Sequence, residues 1–343
     1  MTYTDWVQRG QWLAATCDMS LPFTQEEWTL PSGILCRSLD RGILEFNPPQ
    51  LPAQTKDIIL SSGIHGNETS PIELLDRLVR DIMAGRLELS HRLLVMIAHP
   101  TAINNQTRFI EENLNRLFQV KNEPRNLECD IANNLQDIVS NFYGRSTAVA
   151  PERWHLDLHC AIRKSQHYRF ALSPFTDKPT RSASLFSFIQ QANLDAVLLS
   201  NRPSSTFSWH SAEYFGAQAL TIELGQVAPL GRNDLTQLDD FDRAMRLLVS
   251  EPQLVETKWD SNKTPVYRVN RTLIKQSSDF FFLFPTDVPN FTFFDEGEHI
   301  GGDGETQFYI EQGGEAIVFP NPDVAIGQRA VLLVKPTSIE EIL

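Results

Sequence analysis

An α/β fold followed by a small β-rich region is the class this sequence predicts, and three observations carry the prediction. Between residues 57 and 250, apolar runs of strand length alternate with longer amphipathic stretches of helical period. After about residue 255 the helical period is lost and short β-type runs take over. The chain of 343 residues, 41% hydrophobic and 21% charged, is long enough for a large core and two domains.

Taken in order, residues 1 to about 50 read as a short helix and an irregular or β lead-in, broken at Asn47-Pro48-Pro49. Strands are expected over 57–63, 93–98, 154–160, 168–172, 195–199 and 218–223, with helices near 71–84, 127–142, 181–192 and 234–250. The helix at 71–84 is entered through Thr69 or Ser70 as cap. Beyond 255, Tyr267-Arg268-Val269, Phe280 to Phe284, Phe291 to Phe294 and Val331 to Val334 supply short strands, and glycines at 297, 301, 302, 304, 313 and 314 mark the turns between them. Gly301-Gly302-Asp303-Gly304 has no helix after it and is not a phosphate cradle. The expected division is a unit over 1–254 and a β-rich unit over 255–343, with no internal repeat.

A formal net charge of −13 argues against nucleic acid and anionic membrane surfaces as partners, since both require a basic footprint. No apolar stretch reaches the length of a membrane span. Met1-Thr2-Tyr3-Thr4-Asp5-Trp6 lacks a basic region followed by an apolar run, so no signal peptide is expected. Cys17, Cys36, Cys129 and Cys160 are scattered without Cys-x-x-Cys pairing and read as reduced thiols, in keeping with a cytoplasmic enzyme.

Chemistry concentrates in Ser61-Ser62-Gly63-Ile64-His65-Gly66-Asn67-Glu68, where an imidazole and a carboxylate stand three residues apart just after an apolar strand. Catalytic zinc takes three protein ligands from His and Asp or Glu and keeps a fourth position for water. Trp154-His155-Leu156-Asp157-Leu158-His159 offers the third ligand. Strand alternation puts residues 155, 157 and 159 on one face, so the pattern leaves His155 and Asp157 open. His159, at the end of the run where the chain would open into a site, is preferred, with Asp157 orienting an imidazole from behind and His155 a structural strand histidine. Cys160 points to the opposite face. Glu223 closes the apolar run Ala219-Leu220-Thr221-Ile222, and a carboxylate at the edge of a buried strand is costly unless it has a partner or a task.

His65-x-x-Glu68 with Asp157-Leu158-His159 resembles the zinc carboxypeptidase superfamily, in particular its branch of aspartoacylases and succinylglutamate desuccinylases. Gly63-Ile64-His65-Gly66-Asn67-Glu68, Asn113-Leu114-Asn115-Arg116, Asp157-Leu158-His159-Cys160-Ala161-Ile162-Arg163 and Thr221-Ile222-Glu223-Leu224-Gly225 keep that branch's order over the first two-thirds of the chain. Pro71-Ile72-Glu73-Leu74, the Ala161-Ile162-Arg163 continuation and Thr206-Phe207-Ser208 are more similar to its desuccinylase members. The resemblance implies a mixed central sheet flanked by helices, with a small C-terminal β domain. It implies one Zn2+ per chain on His65, Glu68 and His159, with Glu223 moving a proton from the attacking water to the leaving nitrogen.

Arg108, by the same resemblance, stabilises the developing oxyanion. Arg116, a bidentate guanidinium helped by the Asn115 amide, suits a carboxylate of the glutamate part. Arg163 lies on the His159 face if the strand continues, and would there bind the succinyl carboxylate. Arg108, Arg116, Arg163 and Lys164 make a local positive pocket in an acidic protein. The expected reaction is cleavage of N-succinyl-L-glutamate to succinate and L-glutamate, a step of arginine breakdown, on a small-molecule N-acyl amino acid. The alternatives are deacylation of another N-acyl acidic amino acid, as by aspartoacylase, peptide carboxypeptidase activity, and a catalytically inactive ligand-binding domain. Two departures mark the substrate side. No tyrosine is in register near Val318-Phe319-Pro320-Asn321, the nearest upstream being Tyr309, and Glu213 stands where aspartoacylase has an arginine. The sequence is silent on oligomeric state.

Overall fold

The protein, described from a computed structural model, is defined over residues 1–146 and 151–339. It opens with two short helices, α1 (Tyr3–Gln8) and α2 (Trp12–Cys17), and a meander of β1 (Glu26–Thr29), β2 (Leu35–Asp40) and β3 (Ile43–Asn47). The α/β part follows as β4 (Lys56–Ser62), α3 (Ser70–Met83), β5 (Arg92–Ile97), α4 (Pro100–Asn104), α5 (Leu127–Gly144), β6 (Glu152–Ala161), β7 (Arg169–Ser173), α6 (Ala183–Gln191), β8 (Ala196–Leu199), α7 (Phe207–Phe215), β9 (Gln218–Gln226) and α8 (Asp239–Ser250). The C-terminal part is all strand: β10 (Val266–Ile274), β11 (Phe281–Phe282), β12 (Thr292–Phe294), β13 (His299–Asp303), β14 (Thr306–Tyr309), β15 (Glu315–Val318) and β16 (Arg329–Thr337).

One mixed sheet of thirteen strands, ordered β1-β2-β3-β5-β4-β6-β9-β7-β8-β10-β16-β15-β12, runs through the molecule. Its centre, β5-β4-β6-β9, is parallel, and every residue of β4 and β5 is buried, as a strand covered on both faces requires. Alternation along β4 sends Ile58 and Leu60 to one face, against the apolar stripe of α3 (Ile72, Leu75, Leu78, Val79, Ile82) and residues of α6 and α8. Ile59 goes to the other face, against Leu135, Val139 and Phe142 of α5. Helices therefore cover both faces of the parallel strands.

The sheet continues beyond residue 254. β10 pairs in parallel with β8, Val266 to Arg268 opposite Val197 to Leu199, and β16 and β15 extend it antiparallel. β11, β13 and β14 form a second sheet of three strands, and Leu273, Ile300, Ile310, Ile317, Val331 and Leu333 fill the space between the two.

The α/β class with a small C-terminal β sandwich agrees with the sequence expectation, and three local features depart from it. The lead-in carries two helices, separated at Gly10 with its φ of 73°. α7 was not expected; its sequence Phe207 to Phe215 is aromatic and weakly amphipathic, and it stops at Gly216 in the left-handed region. Thr69 takes the cap position of α3, but its hydroxyl donates to the Ala228 carbonyl at 2.6 Å.

Candidate metal centre

The parallel strands end on one side of the sheet, and the side chains singled out in the sequence gather there. The β4–α3 connection carries His65 and Glu68, β6 carries His159, and β9 carries Glu223 directly opposite His159 in register. A glycine between His65 and Glu68 is a steric necessity. A Cβ on Gly66 would lie 2.2 Å from the Ala102 carbonyl carbon and 2.4 Å from the Ile103 nitrogen, both backbone atoms of α4. The connection is pinned further by the Gly66 amide, which donates to the Arg108 carbonyl at 3.2 Å.

His65, Glu68 and His159 are all buried, and their ligand atoms lie within 4.8 Å of one another. Nδ1 of His65 is 2.9 Å from Glu68 Oε1, and Nδ1 of His159 is 2.8 Å from Glu68 Oε2. Each ring's other nitrogen is committed behind it. Nε2 of His65 donates to Asn113 Oδ1 at 2.9 Å, and Nε2 of His159 donates to Asp157 Oδ2 at 2.9 Å. Both Nδ1 atoms consequently converge with the Glu68 carboxylate on one space, a donor set that would suit an open zinc site.

A hydrogen-bonded chain fixes these proton positions. Ser61 donates its one hydroxyl hydrogen to Asp157 Oδ1 at 2.6 Å, so at 2.8 Å it must accept from His155 Nε2. His155 Nδ1 then accepts from the Ser211 hydroxyl at 2.7 Å. His155 thus has both nitrogens occupied away from the cluster.

Glu223 stands over the ligands with Oε2 buried and no hydrogen-bond partner. Burial, then the Glu68 charge, pushes its carboxyl up to about 7, against the pull of His159 and Arg108. An orphaned buried carboxylate oxygen beside an open donor set is where a water or a reacting group fits. Burial lowers His65 to about 4. For His159 burial acts downward too, but Asp157 and Glu68 outweigh it and hold the imidazole well above its ordinary value. Burial raises Glu68, and the two imidazoles reverse that to a net depression.

Arg108 reaches the same carboxylate, Nη1 lying 2.5 Å from Glu68 Oε1. Asn115 Oδ1 accepts the Phe207 amide at 2.9 Å, which turns Nδ2 toward His159 Nε2 at 3.4 Å. The Thr206-Phe207-Ser208 run therefore serves as the seat of Asn115. Arg116 donates to the Asn115 carbonyl at 2.7 Å and reaches solvent, as a side chain on the wall of an open cleft does.

Arg163 does not follow the expected geometry. β6 stops at Ala161, so Arg163 lies in a bend beyond the strand, half-buried, with Asp287 and Asp323 as its opposing charges. The argument that placed it on the His159 face fails because the strand does not continue. Asn113, quoted in the sequence only as part of a run, proves to orient His65; an Asn three residues before an Arg carries no local signal of that task. Arg329, at the start of β16, was also missed. Its charge is felt by Arg116, and Glu223 acts on it in turn.

Comparison with known proteins gives consistent findings. Residues 54–249 match the succinylglutamate desuccinylase/aspartoacylase catalytic domain, and residues 262–337 match the AstE/AspA barrel-sandwich hybrid domain. Over 326 residues the chain is 48% identical to a protein of Vibrio vulnificus named succinylglutamate desuccinylase, covering 95% of this chain and 94% of that one. A crystal structure of a succinylglutamate desuccinylase from Vibrio cholerae superposes with a TM-score of 0.87 at 47% identity, over 95% of this chain and 94% of the other. One from Chromobacterium violaceum superposes at 0.84 and 36% identity, over 95% and 98%. Murine aminoacylase 3, at 16% identity and a TM-score of 0.58 over 82% and 95%, shares the fold.

Proposed function

This chain belongs to the succinylglutamate desuccinylase/aspartoacylase family, and from that premise we propose that it hydrolyses N-succinyl-L-glutamate to succinate and L-glutamate. The observation that carries the reading is the convergence of His65 Nδ1, His159 Nδ1 and Glu68 beside Glu223, whose buried Oε2 has no hydrogen-bond partner. The residues fit one zinc ion per chain, held by His65, Glu68 and His159. When bound, zinc supplies Lewis-acid polarisation of the water and the amide carbonyl.

The remaining steps belong to side chains. Glu223 Oε2 takes a proton from the attacking water and delivers it to the leaving nitrogen, a role suited to a carboxyl held near neutrality. Arg108 swings from Glu68 to the oxyanion that develops on the amide carbonyl oxygen, where a guanidinium is worth most in the transition state. Asn115 and Arg116 hold a carboxylate of the glutamate half, and Arg163 is proposed for the succinyl end. We place the reaction in the cytoplasm, as the closing step of the succinyl-transfer route of arginine breakdown. We also propose that residues 1–254 form the catalytic unit and residues 255–343 an accessory β unit.

A panel of N-acyl glutamates and aspartates, assayed on protein of measured zinc content, tests the reading. The expected result is one zinc per chain and N-succinylglutamate cleaved far faster than N-acetylglutamate or N-acetylaspartate, with Arg163→Ala narrowing that gap. Equal rates on succinyl and acetyl substrates would transfer the assignment to an aspartoacylase-like deacylase. Stoichiometric zinc without turnover on any member would remove the activity.

A further inference from the structure

Two guanidinium groups at this site, Arg116 and Arg329, lack an ion-pair partner among the described residues. Shielded arginines elsewhere in the molecule are met by a carboxylate, as Arg92 by Asp57 at 2.9 Å and Arg271 by Glu315 at 2.6 Å, or by several carbonyls, as Arg181 by those of Ser173, Pro174 and Ser200. Among the described residues neither Arg116 nor Arg329 has a carboxylate within ion-pair distance, although the chain carries 43 acidic residues. Arg116 faces the charges of Arg329 and Arg108, a field of its own sign.

Arg329 is placed there by construction. It is the first residue of β16, opposite Ile274 of β10, and its guanidinium carbon lies 5.5 Å from the Phe319 ring centroid. Phe319 packs at 5.8 Å on Phe170, and Phe170 stands directly across β7–β9 from Glu223, on the same face. Phe319 itself has φ 55°, a left-handed conformation unusual for an aromatic residue. Its amide is held by Asn290 Oδ1 at 2.8 Å, while the Asn290 backbone bonds Lys164 and Gln166 in the loop that follows His159. The C-terminal strands are thereby fastened to the loop beyond the ligand strand, and the stacked Phe319 aims Arg329 at the Glu223 side of the cleft.

We propose that Arg329 brackets, with Arg116, a carboxylate of the amino-acid half of the substrate, and is a specificity-determining residue of this site. The inference rests on the function proposed above. The amino-acid half follows from position, since Glu223 delivers its proton to the nitrogen that leaves with that half. Two like charges with no internal partner are offset when a ligand carboxylate lies between them, and a fork of two guanidinia suits that group.

The test uses the full-length, zinc-loaded protein with Arg329→Gln, Arg329→Met, which keeps the apolar stem over Phe319, and Arg329→Lys. The KM for N-succinylglutamate and for N-acetylglutamate should rise together, roughly tenfold or more, in the Gln and Met variants, with kcat changed less and Lys recovering part of the loss. Calorimetric binding of L-glutamate should weaken in parallel, and that of succinate should not. A KM change confined to the succinyl substrate, weaker succinate binding alone, or a lowered melting temperature with KM unmoved would overturn the proposal. If the wild type cleaves no N-acylglutamate, the proposed activity fails on its own. The L-glutamate titration still decides Arg329, because no binding to wild type, or equal binding to wild type and variants, overturns the bracket.

Discussion

At the scale of single residues, the centre couples protons to metal. His159 is held above its ordinary value by Asp157 and Glu68 despite burial, so without metal it is an imidazolium between two carboxylates. A metal must displace that proton, and apparent zinc affinity should rise about tenfold per pH unit until the raised value is passed. Chelator competition at pH 6, 7 and 8 reads this slope; a flat response would mean that His159 is not a ligand. Glu223→Gln should retain zinc while kcat falls by roughly two to four orders of magnitude. The same substitution has a stability signature. Glu223 titrates at about 7 when folded against an ordinary 4.5, so its contribution is fully present below the lower value and lost as pH rises through the upper one. Metal-free Glu223→Gln should accordingly melt higher than wild type at pH 8 and no higher at pH 4, with a gain at pH 8 of up to about 3 kcal/mol by calorimetry. The pairing of His65 with Glu68 was legible because both residues share one connection. Asn113 and Ser61 were not, since a residue that acts on an imidazole across the fold leaves no periodic mark.

The connecting elements decide whether those residues meet. The β4–α3 connection and α4 approach so closely at Gly66 that even a methyl group enters the Ala102–Ile103 backbone, and neither side can rotate away as a side chain would. Gly66→Ala should destabilise the protein by about 1–3 kcal/mol and lower zinc occupancy, because the displaced turn carries both His65 and Glu68. Denaturant unfolding together with metal analysis checks this; wild-type zinc at wild-type stability would show that the connection yields. The strands at 57–63, 93–98, 154–160 and 218–223 could be read because each is built around apolar residues and buried on both faces. α7 could not. Phe207, Trp209 and Phe215 spread apolar surface around the helix, and its position is set by Phe207 stacking on Phe118 at 4.4 Å rather than by period. Arg163 shows the opposite error: alternation was extended past Ala161, where the hydrogen-bonded ladder ends.

Over the whole molecule, the sheet joins the two expected units instead of separating them. A chain cut at residue 254 would leave β8 without β10 and uncover Leu198 and Phe170, which pack against Val269, Phe291 and Val334. Such a truncation should be aggregation-prone, to be seen in size-exclusion chromatography and light scattering, and a monodisperse folded fragment would refute it. The change of texture near 255 was legible in the sequence, but the sharing of one sheet was not, because strand partners as distant in the chain as Val197 and Val266 carry no local pattern. Arg329 escaped notice for the same reason, since the side chains around it come from strands distant in the chain. The β8–β10–β16 pairing also orders events during synthesis. β8 is complete at Leu199, its neighbour begins at Val266, and that neighbour's partner begins at Arg329. The nascent chain thus passes through an interval in which a strand of four apolar, buried residues has its edge open until β10 emerges, and the edge of β10 stays open in turn until β16 follows. Slowing elongation late in the message would prolong that exposure, making yield in the cell depend on chaperone supply more than the stability of the finished fold would suggest.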